Sequence, residues 1–88
     1  MKIKDGFILR EVLGKTVVVA VGKRVKEFNG IINLNSSSAF LWRALSEDVT
    51  EEQLVQKLLE EYEVEEGVAR RDVSLFIEKL KEAKLIEL

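Results

Sequence analysis

Apolar residues in the N-terminal third of the chain occur in short runs that are typical of β-strands. Residues 7–12 and residues 16–21 are rich in strand-forming side chains, and Gly14 between them can adopt the backbone angles of a tight turn. These two runs predict a β-hairpin. A loop follows the hairpin and ends in the turn dipeptide Asn29-Gly30.

The next short run predicts a third strand at the edge of the sheet. It consists of Ile31, Ile32, Asn33 and Leu34. In a simple meander this strand pairs with residues 16–21, and its other side stays unpaired. No proline and no charged residue protects that side, as they do on many edge strands. Because alternate residues of a strand point to opposite faces, Ile32 and Leu34 are expected to face the core.

The remainder of the chain has helical periodicity. Asn35 is a good N-cap for a first helix over residues 36–45, and Thr50 forms a capping box with Gln53 at the start of a second helix. A third helix is predicted over residues 66–84. Its core stripe has helical spacing and consists of Ala69, Val73, Phe76, Ile77, Leu80 and Ala83.

Three strands in one block and three helices in the next predict an α+β fold. A single domain over residues 1–88 suits a chain of 88 residues. The expected architecture is winged helix-turn-helix-like, with a three-stranded antiparallel sheet followed by three helices. Trp42 is expected in the core, because apolar residues surround it in the first helix.

The sequence lacks the residue types that most enzymes and metal sites require. It has no Cys and no His, so thiol nucleophiles, histidine bases and the usual zinc ligands are all missing. The run Ser36-Ser37-Ser38 has no neighbouring Lys or acid, and the five glycines are scattered rather than grouped in a phosphate loop. We therefore predict a protein without catalytic activity, without a cofactor and without a metal site.

No segment of the sequence resembles a membrane span. The longest apolar run, residues 17–21, is too short to cross a bilayer, and the first residues lack the apolar run of a signal peptide. A cytoplasmic protein that does not bind membranes is the simplest interpretation.

The net charge of −2 is unevenly distributed along the chain. Residues 1–34 contain seven basic and three acidic residues, whereas residues 35–88 contain seven basic and thirteen acidic residues. DNA binding would require a basic patch, but the second predicted helix is acidic and the third has mixed charge. We therefore predict no binding to nucleic acid, and a winged-helix DNA-binding protein that uses Arg70 and Arg71 stays as an alternative.

Protein interaction is the function that the remaining features favour. An unprotected edge strand can accept an extended peptide, whose backbone bonds to the strand while its side chains enter neighbouring pockets. It can equally pair with the same edge of a second copy to give a homodimer, and the residues alone leave both alternatives open. On the third helix, Leu75 lies off the core stripe, with Arg71 and Lys79 one turn away on either side.

A set of short motifs adds a family resemblance. In chain order they are Ile32-Asn33-Leu34-Asn35, Ala39, Leu41-Trp42, Thr50-Glu51-Glu52-Gln53-Leu54, Leu58-Leu59, Glu61-Tyr62-Glu63-Val64, Asp72-Val73, Phe76-Ile77, Leu80 and Leu85-Ile86. By these motifs the chain resembles the family of the small pyrroloquinoline quinone biosynthesis protein D, also called the RiPP recognition element. It departs from the family pattern at two helix ends, with Ser36 where an acid is common and Lys84 where a Gly is common.

The resemblance implies a three-stranded sheet packed on three helices and a role in peptide binding. Members of this family bind the leader segment of a ribosomally made precursor peptide and present it to a modifying enzyme, such as a radical S-adenosylmethionine protein. The leader adds a strand to the third strand and lies against the third helix. On this chain, residues 31–34 would supply the backbone edge, and Arg71, Leu75 and Lys79 would form the helix wall.

Overall fold

The computed structural model describes residues 1–26 and 30–87. Its strands and helices, numbered in chain order, are β1 (Lys2–Ile3), β2 (Phe7–Val12), β3 (Lys15–Ala20), β4 (Ile32–Leu34), α1 (Ser36–Ala44), α2 (Glu51–Glu61), α3 (Glu66–Glu82) and β5 (Ile86–Glu87). The main sheet is antiparallel and has the strand order β2-β3-β4. The predicted α+β fold, with a three-stranded sheet followed by three helices, is confirmed.

The hairpin between β2 and β3 closes with a two-residue turn. The register pairs Val12 with Lys15, so Leu13 and Gly14 form the loop. Their φ angles of 51° and 78° are both positive, which is typical of the type I′ turn that matches the twist of paired strands. Gly14 adopts this conformation without a steric cost, whereas Leu13 holds it with a side chain that is 98% exposed.

The predicted third strand is β4, and it begins one residue later than expected. Ile32 lies opposite Val18, and Leu34 lies opposite Thr16. Ile31 directly precedes the strand and is 64% exposed. β4 is therefore short, and it forms one edge of the main sheet.

The segment after β3 has more regular structure than the predicted loop. It contains a 3-10 helix over Gly22–Lys26. Arg24 anchors this helix, because its Nε donates a 2.9 Å hydrogen bond to the backbone carbonyl of Asp5 and its guanidinium lies 5.8 Å from the ring centroid of Phe7. The predicted turn at Asn29 lies outside the described residues.

The first two helices begin at the caps that the sequence predicts. At the start of α1, Asn35 Oδ1 accepts a 2.8 Å hydrogen bond from the backbone N–H of Ser38. At the start of α2, the Thr50 hydroxyl accepts from the Gln53 backbone N–H at 3.1 Å, and the Gln53 side chain accepts from the Thr50 backbone N–H at 2.9 Å. The predicted capping box is therefore confirmed.

The end of α3 comes at Glu82, two residues earlier than predicted. Lys84 has a φ of 60°, in the left-handed region that favours glycine. Its N–H donates to the carbonyl of Lys81 at 3.0 Å, and the N–H of Leu85 donates to the carbonyl of Leu80 at 2.9 Å. These two bonds form a Schellman motif, so the helix stop is kept although Lys replaces the common Gly.

β1 and β5 form a second sheet that the sequence did not predict. Ile3 lies opposite Ile86. The Met1 amino group donates to the Asp48 carboxylate at 2.7 Å and to the Val49 carbonyl at 2.8 Å, which fixes the N-terminal residues beside the connection from α1 to α2. Strands of two residues are too short to produce a periodic pattern, so sequence analysis has no signal for them.

One face of the main sheet and the inner faces of the helices bury a common core. Its fully buried residues include Val18, Leu45, Leu54, Val73 and Leu80. Trp42 is 6% exposed, so its predicted core position is confirmed. Across residues 1–26 and 30–87, no helix is both long and apolar enough to span a membrane.

Candidate functional site

The direction of the backbone hydrogen bonds in the main sheet follows from its hairpin. In a two-residue loop the flanking pair, here Val12 and Lys15, exchanges both backbone hydrogen bonds, and such pairs then alternate along the ladder. The 2.8 Å bond from the Val21 N–H to the Gly6 carbonyl has the same phase. The odd-numbered residues of β3 therefore bond to β2, and its even-numbered residues bond to β4.

This alternation turns the backbone of Asn33 towards the open side of β4. Ile32 and Leu34 lie opposite even-numbered residues of β3, so their N–H and C=O groups point to β3. The N–H and C=O groups of Asn33 point the other way, where the described part of the chain places no further strand. Asn35 is also extended, with φ −79° and ψ 178°, and continues the same edge.

The side chains of β4 alternate between the core and the outer face of the sheet. Leu34 is buried and Ile32 is half-buried against the core, as predicted. Asn33 is exposed on the outer face. An extended segment added beside β4 would continue this alternation, with every second side chain on the side of the helices.

A cleft of about 280 Å³ lies between the start of α1 and α3. Leu41, Leu58 and Phe76 are buried residues that form its apolar floor. Asp72 and Lys79 are exposed residues that line it with opposite charges. An apolar floor between balanced charges suits an apolar side chain of a ligand.

A second depression of about 700 Å³ adjoins the end of β4. Its lining residues are Gly14, Lys15, Thr16, Asn33, Leu34, Asn35 and Ser36. Asn35 lines both depressions, so they meet at the point where β4 leads into α1. We call the two depressions together the β4 groove.

Two of the three helix residues predicted from the sequence line the β4 groove. Leu75 and Lys79 lie on its α3 wall together with Asp72, because their spacing places them on one helix face. Arg71 is not among the lining residues, and its 69% exposed side chain lies 3.8 Å from the Asp72 carboxylate. The helical phase of the core stripe would have identified Asp72 rather than Arg71 as a groove residue, since Arg71 lies opposite that stripe and Asp72 lies beside it.

The floor of the cleft combines residues that no sequence pattern connects. Leu41 belongs to α1, Leu58 to α2 and Phe76 to α3. All three were expected to be apolar helix residues, but their meeting at one cleft depends on how the helices pack. The sequence therefore does not predict the floor of the cleft, and the structure reveals it.

Arg70 ties α2 to α3 on the surface. Its guanidinium donates to both carboxylate oxygens of Glu52 at 2.6 and 2.9 Å, and its Nε donates to Glu66 at 3.0 Å. The bond from Arg70 holds the pKa of Glu52 below its ordinary value. A DNA phosphate would have to compete with these two carboxylates for Arg70, on which the DNA-binding alternative depended.

The described residues offer groups for binding rather than a cluster for metal coordination. Among them, no three acidic side chains are grouped as a metal site would require. The buried side chains in residues 1–26 and 30–87 are apolar. The β4 groove thus supplies backbone hydrogen bonds and apolar contacts, which suit an extended polypeptide.

Two solved structures share the fold of this chain. TbiB1 in complex with the TbiA(beta) leader peptide matches with a TM-score of 0.76 and 23% identity, over 99% of this chain and 95% of that chain. A lasso peptide synthetase B1 complexed with the leader peptide matches with a TM-score of 0.72 and 23% identity, over 96% of this chain and 93% of that chain. Likeness at this level of identity establishes the fold.

Sequence comparison establishes the family. No curated protein matches the chain significantly. The profile described as coenzyme PQQ synthesis protein D (PqqD) matches residues 15–86, a span that contains β3, β4 and all three helices. The resemblance predicted from the motifs is confirmed, and the chain belongs to the PqqD family.

Proposed function

We propose that this protein binds the leader segment of a ribosomally made precursor peptide and holds it for a modifying enzyme. The observation that carries the proposal is the outward-facing backbone of Asn33 beside the apolar β4 groove. Membership of the PqqD family supports it. The leader peptides in the two structures of the same fold support it as well.

In this proposal the leader adds to the main sheet as a further strand beside β4. Its backbone exchanges hydrogen bonds with Asn33, whose N–H and C=O groups β3 does not use. The carbonyl of Asn35 is already engaged, because it accepts the N–H of Ala39 at 2.9 Å. Beyond Asn33, the edge therefore offers the leader the N–H of Asn35 as a donor, but not its C=O as an acceptor.

Alternate side chains of the leader point into the cleft. They share the side of Ile32 and Leu34, and they contact the floor formed by Leu41, Leu58 and Phe76. Complete burial of one aliphatic or aromatic side chain contributes about 1.5–3 kcal/mol. We therefore expect apolar residues at positions i and i+2 of the bound leader segment.

The α3 wall adds contacts on the other side of the leader. Leu75 is 57% exposed and would become buried by a bound peptide. Lys79 and Asp72 would face leader side chains of opposite sign at the two ends of this contact. Arg71 lies on the solvent side of α3, so its role as a binding residue stays a prediction from the sequence.

The chemistry of peptide modification belongs to a partner in this proposal. The sequence has neither Cys nor His, and the described residues include no buried polar side chain. We propose a non-catalytic role, in which the bound leader is presented to an enzyme such as a radical S-adenosylmethionine protein. A cytoplasmic location stays a prediction from the sequence.

Titration with synthetic leader peptides, taken from precursor genes beside the gene for this protein, tests the proposal. We expect amide shifts at residues 31–35 and along α3 in NMR spectra. Leu75→Lys should weaken binding about tenfold, which corresponds to about 1.4 kcal/mol of lost apolar contact. Val64→Lys is the matched control, because Val64 is 40% exposed and lines neither depression.

Two outcomes contradict leader binding at this groove. One is a set of shifts outside the β4 groove, and the other is an equal loss of affinity in both variants. Self-pairing of the edge has its own signature, a molecular mass in light scattering that rises with protein concentration. An Asn33 edge used for a homodimer would show that rise in the absence of any peptide.

A further inference from the structure

The main sheet has a second edge at β2. Within the described residues, β2 pairs with β3. The even-numbered residues of β2 lie opposite odd-numbered residues of β3 and bond to them. The backbone N–H and C=O groups of Leu9 and Glu11 therefore point to the open side of β2, as those of Asn33 do at β4.

A cleft of about 580 Å³ lies along the N-terminal half of β2, and we call it the β2 cleft. Phe7 and Leu9 of β2 line it together with Trp42 of α1. Trp42 is buried, whereas Phe7 and Leu9 are half-buried and pack against the core. This apolar floor can accept one aliphatic or aromatic side chain.

Basic side chains surround the β2 cleft. Lys2 and Lys4 line it from the N-terminal segment, and Arg43 lines it from the end of α1. Asp5 is the one acid among its lining residues. In the described part of the chain, no ion pair joins Lys2, Lys4 or Arg43 to an acidic side chain. The residues that line the cleft therefore carry three positive charges and one negative charge.

We infer that the β2 cleft is a second docking surface, which binds an extended acidic segment of another protein. The segment adds as a strand beside Leu9 and places an apolar side chain over Trp42. Its carboxylates pair with Lys2, Lys4 and Arg43 at the rim. This inference goes beyond leader binding, because it concerns the opposite edge of the sheet.

The charge of the β2 cleft favours such a partner over a second copy of this chain. A symmetric dimer places the same patch of both copies face to face. Where the two-fold axis of a paired β2 edge passes through the β2 cleft, Lys2, Lys4 and Arg43 of one copy lie close to the same three cations of the other. Like charges across an interface oppose association, whereas an acidic segment is attracted.

Both edges can be occupied at the same time. β2 and β4 lie on opposite sides of β3, about 10 Å apart by the usual spacing of strands. A segment bound at β2 would thus not contact the backbone of Asn33. The protein can hold one polypeptide at each edge, which is the arrangement that a ternary complex requires.

The test uses the full chain and the synthetic peptide acetyl-Glu-Val-Glu-Phe-Glu-Val-Glu-amide, with a second peptide in which every Glu is Lys. We expect the acidic peptide alone to bind, with NMR amide shifts confined to residues 2–9 and 42–46. Its affinity should fall as salt is added, because the contacts are ionic. Lys4→Glu and Arg43→Glu should each weaken binding by at least about tenfold.

Lys26→Glu and Lys81→Glu are the matched controls, since they make the same charge change at exposed positions that share no depression with the β2 cleft cations. They should leave the affinity within about twofold of the original. Failure of the acidic peptide to bind, equal losses in the controls, or shifts at Asn33 and α3 would each overturn the inference. Tighter binding of anionic vesicles or duplex DNA through Lys4 and Arg43 would overturn it too. Leu75→Lys should not affect this peptide, so failure here is separable from failure of leader binding.

Discussion

Both edges of the main sheet present open backbone groups, and their surroundings differ. Asn33 presents N–H and C=O groups at β4, and Leu9 does so at β2. The cleft beside β4 balances Asp72 against Lys79, whereas the β2 cleft has three cations and one acid. Backbone hydrogen bonds do not distinguish one sequence from another, so the elements beside each strand determine which polypeptide each edge selects.

α1 connects these two surroundings. Its first turn lines the β4 groove through Ser37 and Ser38, and its last turn lines the β2 cleft through Trp42 and Arg43. Nine helical residues span about 13 Å, so both ends of one short rigid element border a site. The β4 groove and the β2 cleft therefore lie at a fixed separation, and substitutions can alter one of them without changing the residues of the other.

The largest effects are expected from proline substitutions at two neighbouring residues of β4 whose N–H groups point to opposite sides of the strand. Ile32→Pro removes an N–H that bonds to β3 and should lower the free energy of unfolding by about 1–3 kcal/mol, the cost of leaving its acceptor unpaired. Asn33→Pro removes an N–H that points to the open side, a position where edge strands tolerate proline. Its stability should change little, while leader affinity should fall at least about tenfold. Urea unfolding and peptide titration measure the two quantities.

The β2 edge provides the control for this experiment. Binding of the acidic peptide to the β2 cleft should be the same in Asn33→Pro and in the unchanged protein. If Asn33→Pro were as destabilising as Ile32→Pro, the assigned alternation of hydrogen bonds would be wrong. If it lost both peptides equally, the two edges would not be independent.

The predicted three-stranded sheet implies both edges, but only the β4 edge has a sequence pattern that marks it as a binding site. Ile31 to Leu34 form a short uncharged run, and this local pattern was sufficient to identify an edge strand at β4. The β2 cleft depends on Lys2 and Lys4, which β1 holds in place by pairing with β5 at the other end of the chain. Contacts between such distant residues leave no periodic signal, so only the structure reveals them.

The same contrast holds inside α3. The residues of its core stripe were predicted from helical spacing, and Val73, Phe76, Ile77 and Leu80 are all buried. Leu75 and Lys79 on the groove wall were predicted as well. Asp72 was not, because it lies three residues before Leu75, whereas the prediction used the residues four positions away, Arg71 and Lys79. Periodicity locates the buried face well, but the flank that borders a groove depends on the neighbouring elements.

A smaller effect is expected at the junction of α3 and β5. This junction positions β5, which pairs with β1 at the wall of the β2 cleft. Lys84→Gly relieves the left-handed backbone at φ 60°, whose cost for a residue with a Cβ is about 1–2 kcal/mol. Gly also loses more entropy on folding, so the net gain should be about 0.5–1 kcal/mol in urea unfolding. Glu78→Gly, inside α3, is the matched change of opposite sign and should cost about 1 kcal/mol. Equal losses in both variants would contradict the Schellman motif.

The smallest expected effect is a pH dependence confined to the β2 side. The hydrogen bond from the Met1 amino group holds the pKa of Asp48 below its ordinary value. Because the folded pKa is lowered, the contribution of Asp48 is complete above the ordinary aspartate pKa of about 3.9 and is lost as pH falls through the folded pKa. Asp48→Asn should therefore remove this contribution at neutral pH and flatten the loss of stability in acid.

The amides of Ile3 and Lys4 give the local readout for this prediction. They donate to the carbonyls of Leu45 and Leu85 at 3.0 and 2.9 Å, so their NMR shifts report whether the N-terminal wall of the β2 cleft is in place. Both shifts should move below about pH 4 in the original protein and at every pH in Asp48→Asn. Glu47→Gln, at the neighbouring exposed acid, should move neither. A matching movement of the Asn33 amide would mean that the whole fold loosens, because Asn33 lies in β4 on the other edge of the main sheet.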